Sequence, residues 1–309
     1  MVEYYLAMNN TTEPTFRELL NAYKKASDAE RVKTGRPGRE TAINVIRAIK
    51  RILRECHIPL TRQLGELTRS RLDEFAVSKI QSGLSPISVR SYLRQLLAVT
   101  AHWARRYYAE WGLDVKPYEL PNVFVPQRRY VRPQQTLLKD LHDWYMGLTG
   151  RQDGRIWFAV TMMLEFAMRN GDITRITWRN FIEREGRYYL HYMPHKTSLS
   201  SGRFVCWPVH PEIWQQFCRL RDSGTLGKER LLNSSAYMFR AINKELRQLG
   251  FSGGKASYEL RKICIDHIYQ KFGAEMASSI SGDDIRTVMR YYADPSAVNV
   301  EGVRVVDLL

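Results

Sequence analysis

The chain has 309 residues, of which 44% are hydrophobic and 26% are charged, a composition that excludes general disorder and indicates a globular protein. A chain of this length is expected to form about two domains. Its 47 Lys and Arg residues outnumber its 32 Asp and Glu residues, and the formal net charge of +15 favours a polyanionic partner such as double-stranded DNA.

Several other classes of protein are disfavoured by the sequence. It contains no apolar run of about 18 residues, so no membrane span is expected. The segment Met1–Thr12 lacks the basic and apolar regions of a secretory signal. The cysteines are scattered without metal-ligand spacing, so we expect a cytoplasmic protein with no disulfide scaffold and no bound metal.

After an N-terminal extension (residues 1–13), the pattern of residues 14–117 predicts a helical domain. Phe16, Leu19 and Leu20 recur with helical spacing, and the glycine and proline of residues 35–39 end that helix. A second helix is predicted over Glu40–Cys56. Thr68 is expected to cap a helix that runs to Ser82.

A break at Gly83 and Leu84 precedes Ser85 and Pro86, which fit the cap and the first position of another helix, predicted to span residues 86–111. Basic side chains on these helices are candidates for DNA binding, through phosphates or base edges. They are Arg47, Lys50, Arg51, Arg90 and Arg94.

Residues 118–135 are predicted to be an extended, basic linker, because their prolines resist helix formation. Such a segment is either an ordinary tether or an extended basic linker that lies along a phosphate backbone. Its candidate DNA-binding residues are Arg128, Arg129 and Arg132.

The remaining sequence predicts a domain over residues 136–292, followed by a tail over 293–309. Helices are expected over Leu137–Leu148 and Arg155–Met168, then strands over Tyr188–Met193 and Arg203–Val209, then two or three helices to about residue 290. The predicted fold class is mainly α with a small antiparallel β-sheet.

Four segments of this second half carry side chains that suit phosphate ester chemistry. Each alone is typical of a helix end or of core packing, but their order and spacing together are specific. The segments are Leu164–Asp172, which contains Arg169; Pro194–Thr197, which contains Lys196; Tyr258–Arg261; and Asp284–Tyr292.

This arrangement resembles the tyrosine recombinase (phage integrase) family over nearly the whole chain. Residues 167–178 resemble the family's first arginine box, Lys196 stands where the family has its β-hairpin lysine, Tyr258–Arg261 resembles the His-x-x-Arg box, and Asp284–Tyr291 resembles the segment that ends in the nucleophile. The resemblance implies a helical core-binding domain and an α+β catalytic domain. It also implies a site-specific DNA recombinase or integrase, without cofactor or metal, that acts as a homotetramer on paired DNA sites. For the tail three alternatives stay open: docking on its own domain, docking on a neighbouring subunit as the resemblance implies, or a frayed terminus.

The chemistry implied by the resemblance is attack of a tyrosine hydroxyl on a DNA phosphodiester, which leaves a 3′-phosphotyrosine bond. Arg169 and Arg261 would stabilise the negative charge of the transition state, because guanidinium forks match phosphate oxygens. Lys196 would protonate the leaving 5′-oxygen. The covalent bond conserves the energy of the phosphodiester, so rejoining needs no ATP.

Two helper positions depart from the family pattern. The family's usual histidine is replaced by Tyr258, which can still bind a phosphate oxygen but is a poor base at neutral pH. The family's usual His or Trp lies nine residues before the nucleophile, which is Gly282 counted from Tyr291 and Asp283 counted from Tyr292. Neither residue supplies the usual chemistry, and an Asp283 carboxylate would repel phosphate.

The spacing leaves the nucleophile open between Tyr291 and Tyr292, and the ungapped pattern favours Tyr291. The apolar stripe of Ile285, Val288, Met289 and Tyr292 predicts that Tyr292 is the buried packing residue. Two alternatives to an integrase remain: a DNA-binding relative without catalysis, and a topoisomerase-like enzyme that only relaxes supercoils.

Overall fold

The computed structural model describes residues 14–34, 38–103, 118–126, 130–150, 154–195, 202–232, 236–253 and 255–292. The chain forms two compact units, Met1–Gln127 and Arg128–Leu309. The division falls inside the predicted linker. Among the described residues, no helix combines the length and the apolar character needed to cross a membrane. The N-terminal extension and the tail lie outside the described residues.

The described part of the first unit is helical, as predicted. The Thr68 hydroxyl accepts a hydrogen bond from the Arg71 N–H, and the Ser85 hydroxyl accepts one from the Ser88 N–H, so both predicted caps are present. The last helix continues in π-helical form over Ala98–Trp103, and residues 104–111 are outside the described part. The helices are α1 (Phe16–Thr34), α2 (Gly38–Glu55), α3 (Arg69–Gln81) and α4 (Pro86–Leu97).

The core of the first unit includes the beginning of the predicted linker. Val123 is 7% exposed, and Tyr118, Leu120 and Val125 pack against the same core. The Tyr118 hydroxyl also donates a hydrogen bond to the Leu64 carbonyl at 2.5 Å. Residues 118–125 are therefore part of the folded unit and not an ordinary tether.

The described part of the second unit combines helices with a three-stranded antiparallel sheet, in the order β1-β2-β3. The strands are β1 (Phe181–Arg184), β2 (Arg187–Tyr192) and β3 (Val205–Pro208). The helices are α5 (Gln135–Gly147), α6 (Gly154–Leu164), α7 (Asn170–Ile173), α8 (Pro211–Asp222), α9 (Ala236–Gln248), α10 (Ala256–Ser281) and α11 (Ile285–Tyr291).

Three sequence-based expectations for this unit were wrong. Helix α6 ends at Leu164, before the predicted Met168, because Ala167 adopts a left-handed conformation with φ of 49°. Strand β1 was not predicted. In the structure, Glu185 and Gly186 both have positive φ and form the tight turn of a hairpin between β1 and β2. Four described helices follow the sheet, where two or three were expected.

The main core of the second unit joins α6, the sheet and α8. Phe217 of α8 is fully buried, and its ring lies 5.8 Å or less from those of Trp157, Phe158 and Phe181. Aromatic pairs at such distances stabilise a core beyond the area that they bury. This core fixes the end of α6, from which the chain enters the candidate site.

Candidate active site

Arg169 is positioned by the buried turn that follows α6. Ala167 and Met168 are both fully buried, and the Met168 N–H donates to the Met162 carbonyl at 2.9 Å. Arg169 is the N-cap residue of α7, and its carbonyl accepts hydrogen bonds from the N–H groups of Asp172 and Ile173. The backbone on both sides of Arg169 is therefore fixed by packing and hydrogen bonds.

Arg261 and Tyr258 lie one turn apart on α10, so both side chains point from the same face of the helix. Arg261 is only 1% exposed and is one of the largest fully buried side chains among the described residues. A guanidinium in such a position needs a counter-charge, because an unpaired buried charge is very costly.

That counter-charge is Asp283, in the short connection between α10 and α11. One carboxylate oxygen of Asp283 accepts a hydrogen bond from Nη2 of Arg169, and the other accepts one from Nη2 of Arg261 at 2.6 Å. The two arginines, which are far apart along the chain, thus converge on a single anion. The sequence suggested that Asp283 would repel a phosphate. In the structure its carboxylate instead pairs with both arginines.

The arginines retain unused hydrogen-bonding capacity. Arg261 Nη2 also donates to the Ser281 carbonyl at 3.0 Å, and Arg169 Nη1 lies 3.9 Å from an oxygen of Asp172. Within the described part of the chain, Nη1 of Arg169 and both Nε and Nη1 of Arg261 are buried without a hydrogen-bond acceptor. Two guanidiniums and the two carboxylates of Asp172 and Asp283 give this cluster a formal charge of zero.

Tyr292 lies beside this cluster. It follows α11, whose N-cap Asp284 accepts a hydrogen bond from the Thr287 N–H at 2.7 Å. The Tyr292 side chain is 5% exposed, its hydroxyl lies 2.5 Å from that of Tyr258, and Cζ of Arg261 is 5.7 Å from its ring centroid. Tyr258, Arg261 and Tyr292 therefore form one contiguous group.

Tyr291 is placed differently. It is 50% exposed, and the guanidinium of Arg290 lies 5.3 Å from its ring centroid. Successive helical residues point about 100° apart, so only one of two neighbouring tyrosines can face α10. The structure places Tyr292, and not the Tyr291 that the spacing favoured, against Arg261.

The predicted apolar stripe on α11 is only partly buried. Val288 is fully buried, but Ile285 and Met289 are 39% and 55% exposed. A small cluster that includes Ala167, Ile265 and Val288 holds the Tyr292 ring. Packing of Tyr292 against this cluster is what carries its hydroxyl to Tyr258.

Burial controls the ionisation of the phenol. Burial raises the pKa of Tyr292; the positive charge of Arg261 opposes this rise, and the negative charge of Asp283 adds to it. For Arg261, burial acts to lower the pKa, but the charge of Asp283 and the neighbouring tyrosines Tyr292, Tyr192 and Tyr258 together raise it, and the net shift is upward. At neutral pH the site holds a protonated phenol beside charged guanidiniums.

Gly282 allows Asp283 to reach the arginines. It caps α10 in the left-handed conformation, with φ of 64°, and a Cβ there would lie 2.7 Å from Pro194 Cγ and 3.2 Å from Val205 Cγ2. The fold therefore favours glycine at position 282, where a side chain would collide with Pro194.

Replacing Gly282 with alanine should destabilise the second unit by about 1–3 kcal/mol, because the added methyl group collides with a rigid proline ring. Gly224→Ala is the matched control, since Gly224 has φ of 73° but nothing lies within 4 Å of the position that a Cβ would take there. Denaturant unfolding measures both. Equal losses for the two variants would show that backbone strain, and not the contact with Pro194, is what requires glycine.

The candidate DNA-binding residues divide into two groups. Arg47, Lys50, Arg90 and Arg94 are exposed on α2 and α4, two helices that pack together. Arg51 and Arg132 instead have partners within the protein, and their role in DNA binding stays a prediction. Arg51 donates to the Tyr92 hydroxyl at 2.9 Å, and Arg132 forms a 2.7 Å ion pair with the buried Asp266.

Three further predicted residues, Lys196, Arg128 and Arg129, lie outside the described residues. The sequence analysis missed Asp172 as a member of the site. One oxygen of Asp172 accepts the His195 N–H at 2.9 Å, which ties the Arg169 turn to the segment that leads to Lys196. Its position one helical turn after Arg169 was the signal that could have identified it.

The sequence matches no protein-family model and no curated protein sequence. The structure, in contrast, is similar to several solved structures. A lambda integrase tetramer bound to a Holliday junction matches with a TM-score of 0.67 and 15% identity, over 99% of this chain and 84% of that chain. The Tn1549 transposon integrase in complex with transposon right end DNA matches with a TM-score of 0.59 and 14% identity, over 91% and 95%.

A third similar structure is the XerH site-specific recombinase bound to a palindromic difH substrate, with a TM-score of 0.57 and 15% identity, over 93% of this chain and 83% of that chain. All three proteins are tyrosine recombinases. The chain has the tyrosine-recombinase fold. The predicted fold class, mainly α with a small antiparallel sheet, and the resemblance seen in the sequence are thereby confirmed at the level of the fold.

Proposed function

We propose that this chain is a site-specific DNA recombinase that cleaves and rejoins strands through a covalent 3′-phosphotyrosine intermediate. The observation that carries the proposal is the convergence of Arg169 and Arg261 on one carboxylate, with the Tyr292 ring packed against Arg261 and its hydroxyl bonded to that of Tyr258. Two guanidiniums around one anion are the arrangement that a phosphodiester in an in-line displacement requires. The tyrosine-recombinase fold supports the same assignment.

We assign Tyr292 as the nucleophile. Its hydroxyl oxygen attacks phosphorus, the bond from phosphorus to the 5′-oxygen breaks, and the phenolic proton leaves to an acceptor. The hydrogen bond to Tyr258 at 2.5 Å orients the attacking oxygen, a positioning role that suits a phenol better than proton abstraction does. Tyr291 is too exposed and too far around the helix for this role.

The leaving 5′-oxygen needs a proton, which we assign to Lys196 as in the sequence-based expectation. The His195 N–H bond to Asp172 brings the segment just before Lys196 next to the arginine cluster. Rejoining runs the same steps in reverse, with a 5′-hydroxyl attacking the phosphotyrosine. The phosphoryl bond is exchanged and not hydrolysed, so the reaction requires no ATP.

Duplex DNA is the proposed partner, and integration of a mobile element is the proposed setting. The exposed arginines and lysine of α2 and α4, on a chain of net charge +15, can neutralise backbone phosphates. We further propose a homotetramer on paired sites, as the resemblance implies.

A suicide DNA substrate, nicked near the cleavage site so that the released fragment diffuses away, tests the proposal. We expect the protein to form a DNA adduct that survives denaturation, in buffer with EDTA and without ATP. Peptide mapping should place the DNA on Tyr292. Absence of an adduct on every candidate attachment sequence to which the protein binds would contradict the proposal.

A second candidate function, DNA binding without cleavage, is favoured by one observation. The carboxylates of Asp283 and Asp172 cancel the formal charge of +2 that the two arginines would otherwise present to a phosphate. This alternative predicts duplex binding that weakens steeply with salt and yields no adduct. The same substrate assay therefore separates the two functions.

A further inference from the structure

The carboxylate of Asp283 has the same relation to the two arginines that a substrate phosphate would need. Each of its oxygens takes one hydrogen bond from a different guanidinium, Arg169 on one side and Arg261 on the other. The two non-bridging oxygens of a phosphodiester present the same pattern, a pair of oxygens on one central atom. Both anions cannot occupy that position together.

We propose that Asp283 is an internal competitor of the scissile phosphate, and that a phosphodiester enters the site only by displacing the Asp283 carboxylate. The inference rests on the proposed function and adds a regulation to the same site. In the DNA-free protein the carboxylate balances the buried guanidinium of Arg261 and the partly buried guanidinium of Arg169. It therefore offsets the repulsion between two positive charges that are held close together.

The displacement is confined to the side chain, because the Asp283 backbone is held on both sides. The Asp283 N–H donates to the Ser281 hydroxyl at 3.1 Å, and the Asp283 carbonyl accepts from the Ser278 hydroxyl at 2.6 Å. The Gly282 N–H donates to the Ser278 carbonyl at 3.0 Å. Rotation about the Cα–Cβ bond of Asp283 therefore moves the carboxylate without unfolding the connection.

The arginines hold further donors for a phosphate once the carboxylate has moved. Nη1 of Arg169 and both Nε and Nη1 of Arg261 are buried donors without an acceptor in the described part of the chain. These donors are closed to solvent while Asp283 is in place, so the carboxylate rotates first. The released Nη2 atoms and the spare donors then bind the phosphate oxygens together. Cleavage is thereby limited to phosphates that the rest of the DNA interface holds in place.

Inorganic phosphate is the probe for the competition, since it needs neither DNA recognition nor catalysis. When only a fraction of the molecules has the site open to a ligand, the apparent affinity for that ligand is reduced by the same fraction. If Asp283 occupies the site in nine-tenths or more of the molecules, at most a tenth can bind phosphate at any time. We therefore expect Asp283→Asn to lower the half-saturating phosphate concentration by about tenfold or more. Calorimetry on the full chain measures this.

Asp284→Asn is the matched control, because it makes the same charge change one residue along and asparagine also caps helices. Its phosphate affinity should equal that of the wild type. Adding Arg169→Gln to Asp283→Asn should abolish the gain, since the phosphate needs both guanidiniums. Equal or weaker phosphate binding by folded Asp283→Asn would overturn the proposal and make Asp283 a brace for the arginines.

A second measurement covers the case in which Asp283→Asn does not fold. A structure of Tyr292→Phe with bound duplex DNA should show the carboxylate released from both arginines. A carboxylate that still bridges Arg169 and Arg261 in that complex would refute the proposal. Both measurements are independent of cleavage, so absence of a covalent adduct would count against the proposed function and leave the competition to be judged by phosphate binding alone.

Discussion

Replacing Tyr292 with phenylalanine is expected to abolish the covalent protein–DNA adduct, whereas Tyr291→Phe should retain it. The variant keeps the ring that packs against Ala167 and Val288 and removes only the oxygen 2.5 Å from the Tyr258 hydroxyl. Loss of a nucleophile that forms a covalent intermediate lowers the rate by a factor on the order of 10⁶. Denaturing gels with the nicked substrate measure the adduct.

The two variants serve as controls for each other, since each removes the hydroxyl of one of two adjacent tyrosines. Folding should change little, because one hydrogen bond contributes about 1 kcal/mol to stability. Duplex binding should be unchanged in both. An adduct that persists in Tyr292→Phe and vanishes in Tyr291→Phe would return the nucleophile to Tyr291 and require α11 to rotate when DNA binds.

Arg261→Lys is expected to lower the rate of strand cleavage by about 10²–10³, the cost of losing one preorganised donor to a developing oxyanion. Lysine keeps the positive charge but lacks the planar fork that now contacts Asp283 and the Ser281 carbonyl. The loss should appear in the single-turnover rate at saturating DNA, because the arginine acts on the transition state.

Arg290→Lys provides the comparison, since Arg290 is exposed on α11 and its guanidinium lies over the Tyr291 ring. Its single-turnover rate should match that of the wild type. Thermal unfolding of Arg261→Lys must be measured in parallel, because a buried ion pair is altered. A folded Arg261→Lys variant with the wild-type rate would show that this side chain does not contact the reacting phosphate.

Local sequence signals predicted those parts of the fold that depend on local interactions. The Ser85 cap and Pro86 set the start of α4, because one hydroxyl and one fixed φ angle act within a single turn. Strand β1 was missed because it is only four residues long and two of them are charged and exposed, and only pairing with β2 makes them a strand. The packing of the start of the linker was not predicted for the same reason. Burial of Val123 depends on the core of the first unit, which the composition of the linker does not reveal.

The site divides in the same way. The sequence by itself predicted the candidate side chains Arg169, Lys196, Tyr258 and Arg261, because residue type and spacing are enough to recognise a motif. Only the tertiary structure decided that Tyr292 faces Arg261 and that Asp283 joins the two arginines. Those contacts depend on how α7, α10 and α11 pack, and the packing of segments distant in sequence is fixed by shape and charge in three dimensions.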